Sequence, residues 1–395
     1  YEPNGYAVNL NSANSFLDTS PLSASNWAQR IQIHLSFAPV QSFCPLGTLE
    51  RATVGTQVIT RAMQSWQLAL NAAANCTKQY GFTAAPEATS TQQLTSTAGG
   101  TAGLAFTTIP IGSEAARKGG TAPTLPPILY APVAVSALDF GFNINYGTSG
   151  YDTTPVKLTP LLLAKALTQS YQQDLPDYFP SAGDNGPAWA QVNPSNISTD
   201  PQFSALNPQA PMNPTGPNAP LLTEDHSAIN QEVWQWIQAD TTASGWLGGT
   251  ADKTDGNMAV DPAYQALNLG QAPAIDSYPR AYSTCLAAGV VPQSTRPKCS
   301  LDLLPYTDNF DSAAAAVLAA NSPDATGWDP QAHAPDGTSG YWTKRGVESL
   351  GQVFMWAADG TPDLAAYGLI PAQLCDGAGT NCISPSLASV TTALN

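Results

Sequence analysis

Apolar segments that repeat every second residue alternate along this chain with segments of helical spacing. That alternation restricts the possible folds more than any other feature. Residues 31–37 read Ile-Gln-Ile-His-Leu-Ser-Phe and predict a strand. Residues 56–74 place Val58, Ile59, Met63, Trp66, Leu68, Ala69 and Leu70 at the spacing of an amphipathic helix. Ser90-Thr91-Gln92-Gln93 has the pattern of a capping box opening a short helix. Residues 104–109 predict a buried strand, and 128–144 a long apolar strand broken at Pro132. Thr159-Pro160 sets an N-cap before a proline at the first helical position, and the helix then covers 161–171. Further on, a helix starts near Ser227 and runs to Asp240, and 301–306 is a strand. Residues 312–320 form a helix, 351–356 a strand, and 362–367 a short helix stopped by Gly368. The order predicts an α/β fold with mainly parallel pairing, without an internal repeat. Between residues 174 and 220 the pairs Asn193-Pro194, Asp200-Pro201, Asn207-Pro208 and Asn213-Pro214 mark turns. This stretch reads as a long surface excursion that keeps Trp189, Phe203 and Leu206.

At 395 residues the chain suits two or three domains. Fourteen basic against 29 acidic residues leave a net charge of −15, which phosphate backbones and anionic lipid repel. Nucleic acid and membrane surfaces are therefore not expected partners. No apolar run approaches the roughly 18 residues of a membrane helix. Tyr1-Glu2-Pro3 shows neither a basic start nor an initiator methionine, so the chain reads as a processed or trimmed product. Six cysteines fall into sequential pairs, Cys44/Cys76, Cys285/Cys299 and Cys375/Cys382, without a C-x-x-C. They read as disulfides rather than metal ligands and place the protein outside the cytoplasm, secreted or at a cell surface. Low lysine with high alanine and proline resembles a secreted protein from a high-GC bacterium.

The residues that usually carry catalysis are thinly spread. His34, His226 and His333 are the three histidines, and no zinc, P-loop, G-x-G-x-x-G or G-x-S-x-G motif occurs. No cofactor and no enzymatic activity are expected. His226 beside Ser227 reads as helix capping, because a triad's base normally comes from elsewhere in the fold. Residues 252–257 (Asp-Lys-Thr-Asp-Gly-Asn) lack calcium-loop spacing and read as a turn. Asn75-Cys76-Thr77 and Asn196-Ile197-Ser198 match the glycosylation pattern. Trp246, Trp328 and Trp342 are expected in loops, packed there or lining a sugar- or partner-binding surface. Helix starts at Ser90 and near Ser227 each follow small polar residues. Such starts hold anions through unpaired N–H groups and positive partial charge, without any basic residue.

Several segments together resemble the phosphate-binding proteins of bacterial ABC uptake systems and their secreted relatives. They are Thr89 to Gln93, Leu104 to Pro110, Ile128 to Ser136 with Gly141 to Ile144, and Val156 to Lys165, which is like that family's "L-T-x-x-x-L-A-K-I" helix. Thr223-Glu224-Asp225-His226-Ser227-Ala228-Ile229-Asn230 stands in the place of "R-x-D-x-S-G-T-T", and residues 351–369 resemble the closing strand and "Y-G-L" ending. The resemblance implies a two-lobed type II periplasmic-binding-protein fold with hinge crossovers and long loop insertions. Lobe 1 would comprise residues 1–130 and 336–395, and lobe 2 residues 131–335. The ligand-binding residues it implies are Ser90, Thr91, Thr107, Thr108, Thr223 and Ser227, with Asn230 beside them. The departures are marked: Thr223 replaces the family's Arg, Thr108 its cleft carboxylate, and Ala228-Ile229-Asn230 its Gly-Thr-Thr, while Glu114 stands near enough in sequence to supply an acid. Two functions are expected from this. One is a solute-binding protein that holds a small oxyanion or polar ligand between its lobes, with or without a transporter permease as partner. The other is an extracellular structural protein (a fibre subunit, adhesin or envelope component) that reuses the scaffold, as a homo-oligomer or surface assembly, with a degenerate site.

Overall fold

The computed structural model describes residues 44–45, 47–96, 102–113, 120–121, 124–125, 127–146, 154–175, 178–179, 184–210, 220–223, 226–273, 275–282, 306–307, 309–321, 326–333, 339–344, 347–348 and 351–394. By its contacts the chain divides into Tyr1–Pro45 and Leu46–Asn395, and nearly all described residues belong to the second. The strand expected at 31–37 and residues 301–305 of that expected at 301–306, together with His34, Glu114, Cys285 and Cys299, lie outside the described residues.

Strand β1 (Glu50–Gly55) opens the second unit and leads through a 3₁₀ turn into helix α1 (Thr60–Ala73). Strand β2 (Gln79–Ala84), helix α2 (Glu87–Thr95) and strand β3 (Leu104–Phe106) follow. They make a parallel three-stranded sheet in the order β2-β1-β3, with Val54, Ala85 and Ala102 as its small core. Gly55 is needed at its end: a Cβ there would collide with the carbonyl oxygen of Phe106, which accepts the Thr56 amide at 3.0 Å. Helix α1 starts at Thr60, so Val58 and Ile59 of the expected helix fall in the 3₁₀ turn before it; α1 itself buries only Met63, while Leu68 and Leu70 face solvent. Helix α2 begins three residues before the expected capping box. Pro86 takes the cap position with extended backbone, so Ser90 and Thr91 lie inside the helix rather than at its start.

Strand β4 (Leu138–Tyr146) starts ten residues later than the apolar run predicts. Residues 129–135 are exposed, Leu129 completely, because Pro132 cannot donate to a ladder. Strand β5 (Lys157–Leu158) precedes helix α3 (Pro160–Leu167), whose N-cap Thr159 accepts the Leu162 amide as the Thr-Pro pair predicts. Every residue of α3 is buried. Helix α4 (Pro201–Leu206) is capped by Asp200 and puts Phe203 into the main core. The Asn/Pro-rich stretch is thus packed structure in part, not surface alone, because its turn carboxylate and amide side chains satisfy the buried backbone.

Strand β6 (Leu222–Thr223) leads to helices α5 (Ala228–Ala239) and α6 (Thr241–Leu247). Trp246 lies in α6, not in a loop; it is buried and its indole N–H donates to Met258 O at 3.1 Å. Helix α7 (Phe310–Leu318) and strand β7 (Gln352–Gly360) come next, then helix α8 (Thr361–Tyr367), ended by Gly368 in the left-handed region as expected. Strand β7 pairs antiparallel with all of β4, from Gln352 against Tyr146 to Gly360 against Leu138. Trp356 stands opposite Phe142, and their rings stack at 5.1 Å. Trp328 and Trp342 also stand opposite each other, in the antiparallel pair Thr326–His333 and Ser339–Lys344. The class is mixed α/β with small sheets. Pairing is both parallel and antiparallel, against the expectation of mainly parallel strands. The longest ladder, β4 with β7, pairs two distant segments antiparallel, and periodicity carries no strand direction.

Cys375 and Cys382 form a disulfide across seven positions, within the pair Gln373–Cys375 and Cys382–Ile383. Cys44 and Cys76 are also disulfide-bonded, and no described cysteine is free. By loop-closure entropy, replacing Cys375 and Cys382 with serine should cost about 2.5 kcal/mol. Denaturant unfolding of the double variant checks this.

Candidate functional site

A small, partly open cleft, with room for about one water molecule, lies where β1 and α2 meet β6, α5 and α7. It is lined by Thr56, Gln57, Ala85, Pro86, Thr223, Ser227, Ile229 and Phe310. Each wall is placed by local structure. Thr56 and Gln57 follow the tight end of β1, Pro86 caps α2, and Thr223 ends β6. Ser227 caps α5 as the sequence predicts, its hydroxyl accepting the Asn230 amide. Phe310 is the first residue of α7. Besides that of α2, two helix amino termini, those of α5 and α7, therefore open towards the cleft.

Both amino termini are met by side chains from the β1–α2 segment. Glu87 is 2% exposed, and its Oε2 accepts the Ala228 amide at 2.9 Å, the first N–H of α5. Its Oε1 accepts the Thr108 hydroxyl at 3.0 Å. Gln57 Oε1 accepts the Phe310 amide, the first N–H of α7, at 3.0 Å. Arg61 from α1 pairs with Asp311 in the first turn of α7 and, at 2.7 Å, with Asp363 of α8; its guanidinium lies over the Tyr367 ring. The hydrogen bond to Asp363 holds the Arg61 pKa above its ordinary value despite burial, with Asp311 adding to it.

Of the seven expected ligand residues, the structure brings Thr223 and Ser227 into the cleft, while Thr108 donates its hydroxyl to Glu87. Thr107 is half-buried and does not line it. Thr91 turns away to accept the Gly112 amide at 3.2 Å. Asn230 donates its side-chain amide to Asp276 O at 3.1 Å. Ser90 is completely buried on α2 with no partner for its hydroxyl. Thr56, 5% exposed, likewise has an unpartnered hydroxyl, and it does line the cleft. Sequence reading missed Glu87, Gln57, Thr56 and Phe310. For Glu87 a signal existed: an acid directly after Pro86 fits the first turn of a helix. Nothing local marks that its carboxylate serves a different helix, 141 residues away.

His226 is exposed, with Nδ1 3.1 Å from Asp276 Oδ1, while Ser227 spends its hydroxyl on its own helix. Asn196 is 1% exposed and caps a 3₁₀ turn with Thr199, which leaves no room for a glycan.

A second charged cluster lies within the main core. Lys165 of α3 is completely buried, its Nζ 2.9 Å from Asp200 Oδ2, 2.9 Å from Asp255 Oδ2 and 3.1 Å from Asp252 Oδ2. Tyr171 donates to the same Asp200 oxygen at 3.1 Å. Burial alone would lower the Lys165 pKa, but the charges of Asp200 and Asp255 outweigh it and raise it. Burial and then Asp200 push Asp255 up to about 6. The turn at 252–257 thus directs its carboxylates at an ammonium rather than a cation from solution, and no group of metal-holding side chains occurs among the described residues.

No family model matches the chain, and no curated protein matches it. No helix among the described residues is long and apolar enough to cross a membrane.

Proposed function

We propose that this chain is an extracellular, non-enzymatic protein on a two-lobed scaffold of the type II periplasmic-binding kind, whose ligand cleft is filled from within. It serves as a structural or assembly component rather than as a carrier of phosphate. The single observation that supports this reading is the Glu87 carboxylate on the Ala228 amide. A helix amino terminus attracts an anion, and here the anion is part of the chain. Three of the other expected anchors are spent as well: Thr91 on Gly112, Asn230 on Asp276, Ser227 on its own helix. With Thr223 in the place of an arginine, a free phosphate would meet a carboxylate and no compensating cation. The disulfides fit an exported protein, and a net charge of −15 disfavours nucleic acid and anionic lipid as partners.

A second reading, a cleft that takes a small polar solute, is favoured by one observation, the unpartnered Thr56 hydroxyl on its wall. Thermal shift and calorimetry with phosphate, sulfate and sugars at millimolar concentration separate the two. The structural reading expects no shift beyond that of chloride, together with particles larger than one chain in light scattering. A saturable shift from any of these solutes, with a monomeric protein, overturns it.

A further inference from the structure

We infer that Glu87 is a tethered ligand: its carboxylate stands where a free oxyanion would sit at the amino terminus of α5, and taking it away leaves a site for a small free oxyanion such as propionate, acetate or phosphate. The inference rests on the filled-cleft reading above and gives that cleft a latent chemistry.

Three observations carry it. A buried carboxylate is costly unless its oxygens are held, and those of Glu87 are held by an amide and a hydroxyl, both uncharged donors. The site therefore supplies anion stabilisation from backbone and dipole rather than from a cation, and that supply stays in place when the side chain is shortened. Next, Thr56 lines the cleft together with Pro86 and Ser227, the residues that precede Glu87 and Ala228, and its hydroxyl is buried without a partner, so polar capacity beyond what Glu87 uses adjoins the site. The Ser90 hydroxyl, three residues along α2 from Glu87, is buried and unpartnered too. Finally, the walls do not depend on Glu87 alone. Gln57 on the Phe310 amide, and Arg61 on Asp311 and Asp363, join the same β1–α2 segment to α7 and α8. With those ties kept, loss of one side chain opens space without releasing the whole segment.

The volume vacated by Glu87→Ala, one methylene and a carboxylate, is that of an acetate ion. The experiment is thermal unfolding of wild type, Glu87→Ala and Glu87→Gln in propionate, acetate, phosphate and chloride at equal ionic strength. Glu87→Ala is expected to melt below wild type and to regain a few degrees in acetate or phosphate but not in chloride. Wild type should respond to none of them. Glu87→Gln keeps the shape and fills the space, so it should fold and show no rescue. If Glu87→Ala is unfolded at the start, recovery of a cooperative transition on adding acetate is the same readout. Failure of the oxyanions to exceed chloride in Glu87→Ala, folded or not, overturns the tethered-ligand role, as does equal rescue of Glu87→Gln. With wild type unresponsive, that failure leaves the filled-cleft reading standing. A phosphate shift in wild type removes that reading instead.

Discussion

The melting temperature is expected to fall as pH rises from about 5 to about 8, the reverse of ordinary acid denaturation. Asp174 is pushed up to about 8 by burial. Asp359 reaches about 8 through burial and the neighbouring charge of Asp363. Burial raises Asp139 to about 7 against the stabilising amide of Phe140, and Asp261 to about 6. Each of these four has a buried oxygen without a hydrogen-bond partner, the setting of a neutral carboxylic acid rather than a carboxylate. Their folded pKa values lie above the unfolded value, so the native state holds more protons. Their stabilising effect is complete below the unfolded pKa near 4 and is lost as pH climbs through the folded values. Ionising one such group across two pH units costs about 3 kcal/mol. Asp174→Asn cannot ionise and should flatten the profile between pH 6 and 8. Calorimetric scans of both proteins across that range check it, and a wild-type melting temperature that rises steadily from pH 5 to 8 would contradict it.

Replacing Lys165 should have the largest effect of any single substitution in the core. Three carboxylates converge on its ammonium, from the cap of α4 and from the turn at 252–257. Asp200 also accepts the Gln202 and Phe203 amides, so the cluster fixes the start of α4 against α3. Lys165→Met keeps the volume and removes the charge, stranding buried acids that are mutually repulsive. Breaking a buried pair in this way costs about 3–5 kcal/mol. Urea denaturation should show a midpoint shift of that size with an unchanged slope. A loss below about 1 kcal/mol would mean that water already screens the cluster in solution.

The parts that proved legible in sequence were those decided within a few residues. The Thr159-Pro160 start, the Ser227 cap and the Gly368 stop each depend on local hydrogen bonds or one left-handed residue, and all three stand as read. The α2 start was misread because two local signals competed, and Pro86 with its fixed φ prevailed over the capping box at Ser90. The apolar run at 128–144 promised one long strand, yet only the part that found β7 became one. A ladder needs a partner, and the partner lies some two hundred residues away.

The cleft follows the same division. Sequence by itself determined which hydroxyls and caps were on offer, since capping and periodicity are short-range properties. Tertiary structure alone decided how they are used. Glu87 and Gln57 cap helices that begin 141 and 253 residues further on, and Lys165 meets acids 35 and 90 residues away. The reason is physical: a charge or an orphan amide buried by folding must be satisfied by whatever side chain the packing brings within about 3 Å, and no local pattern encodes that neighbour.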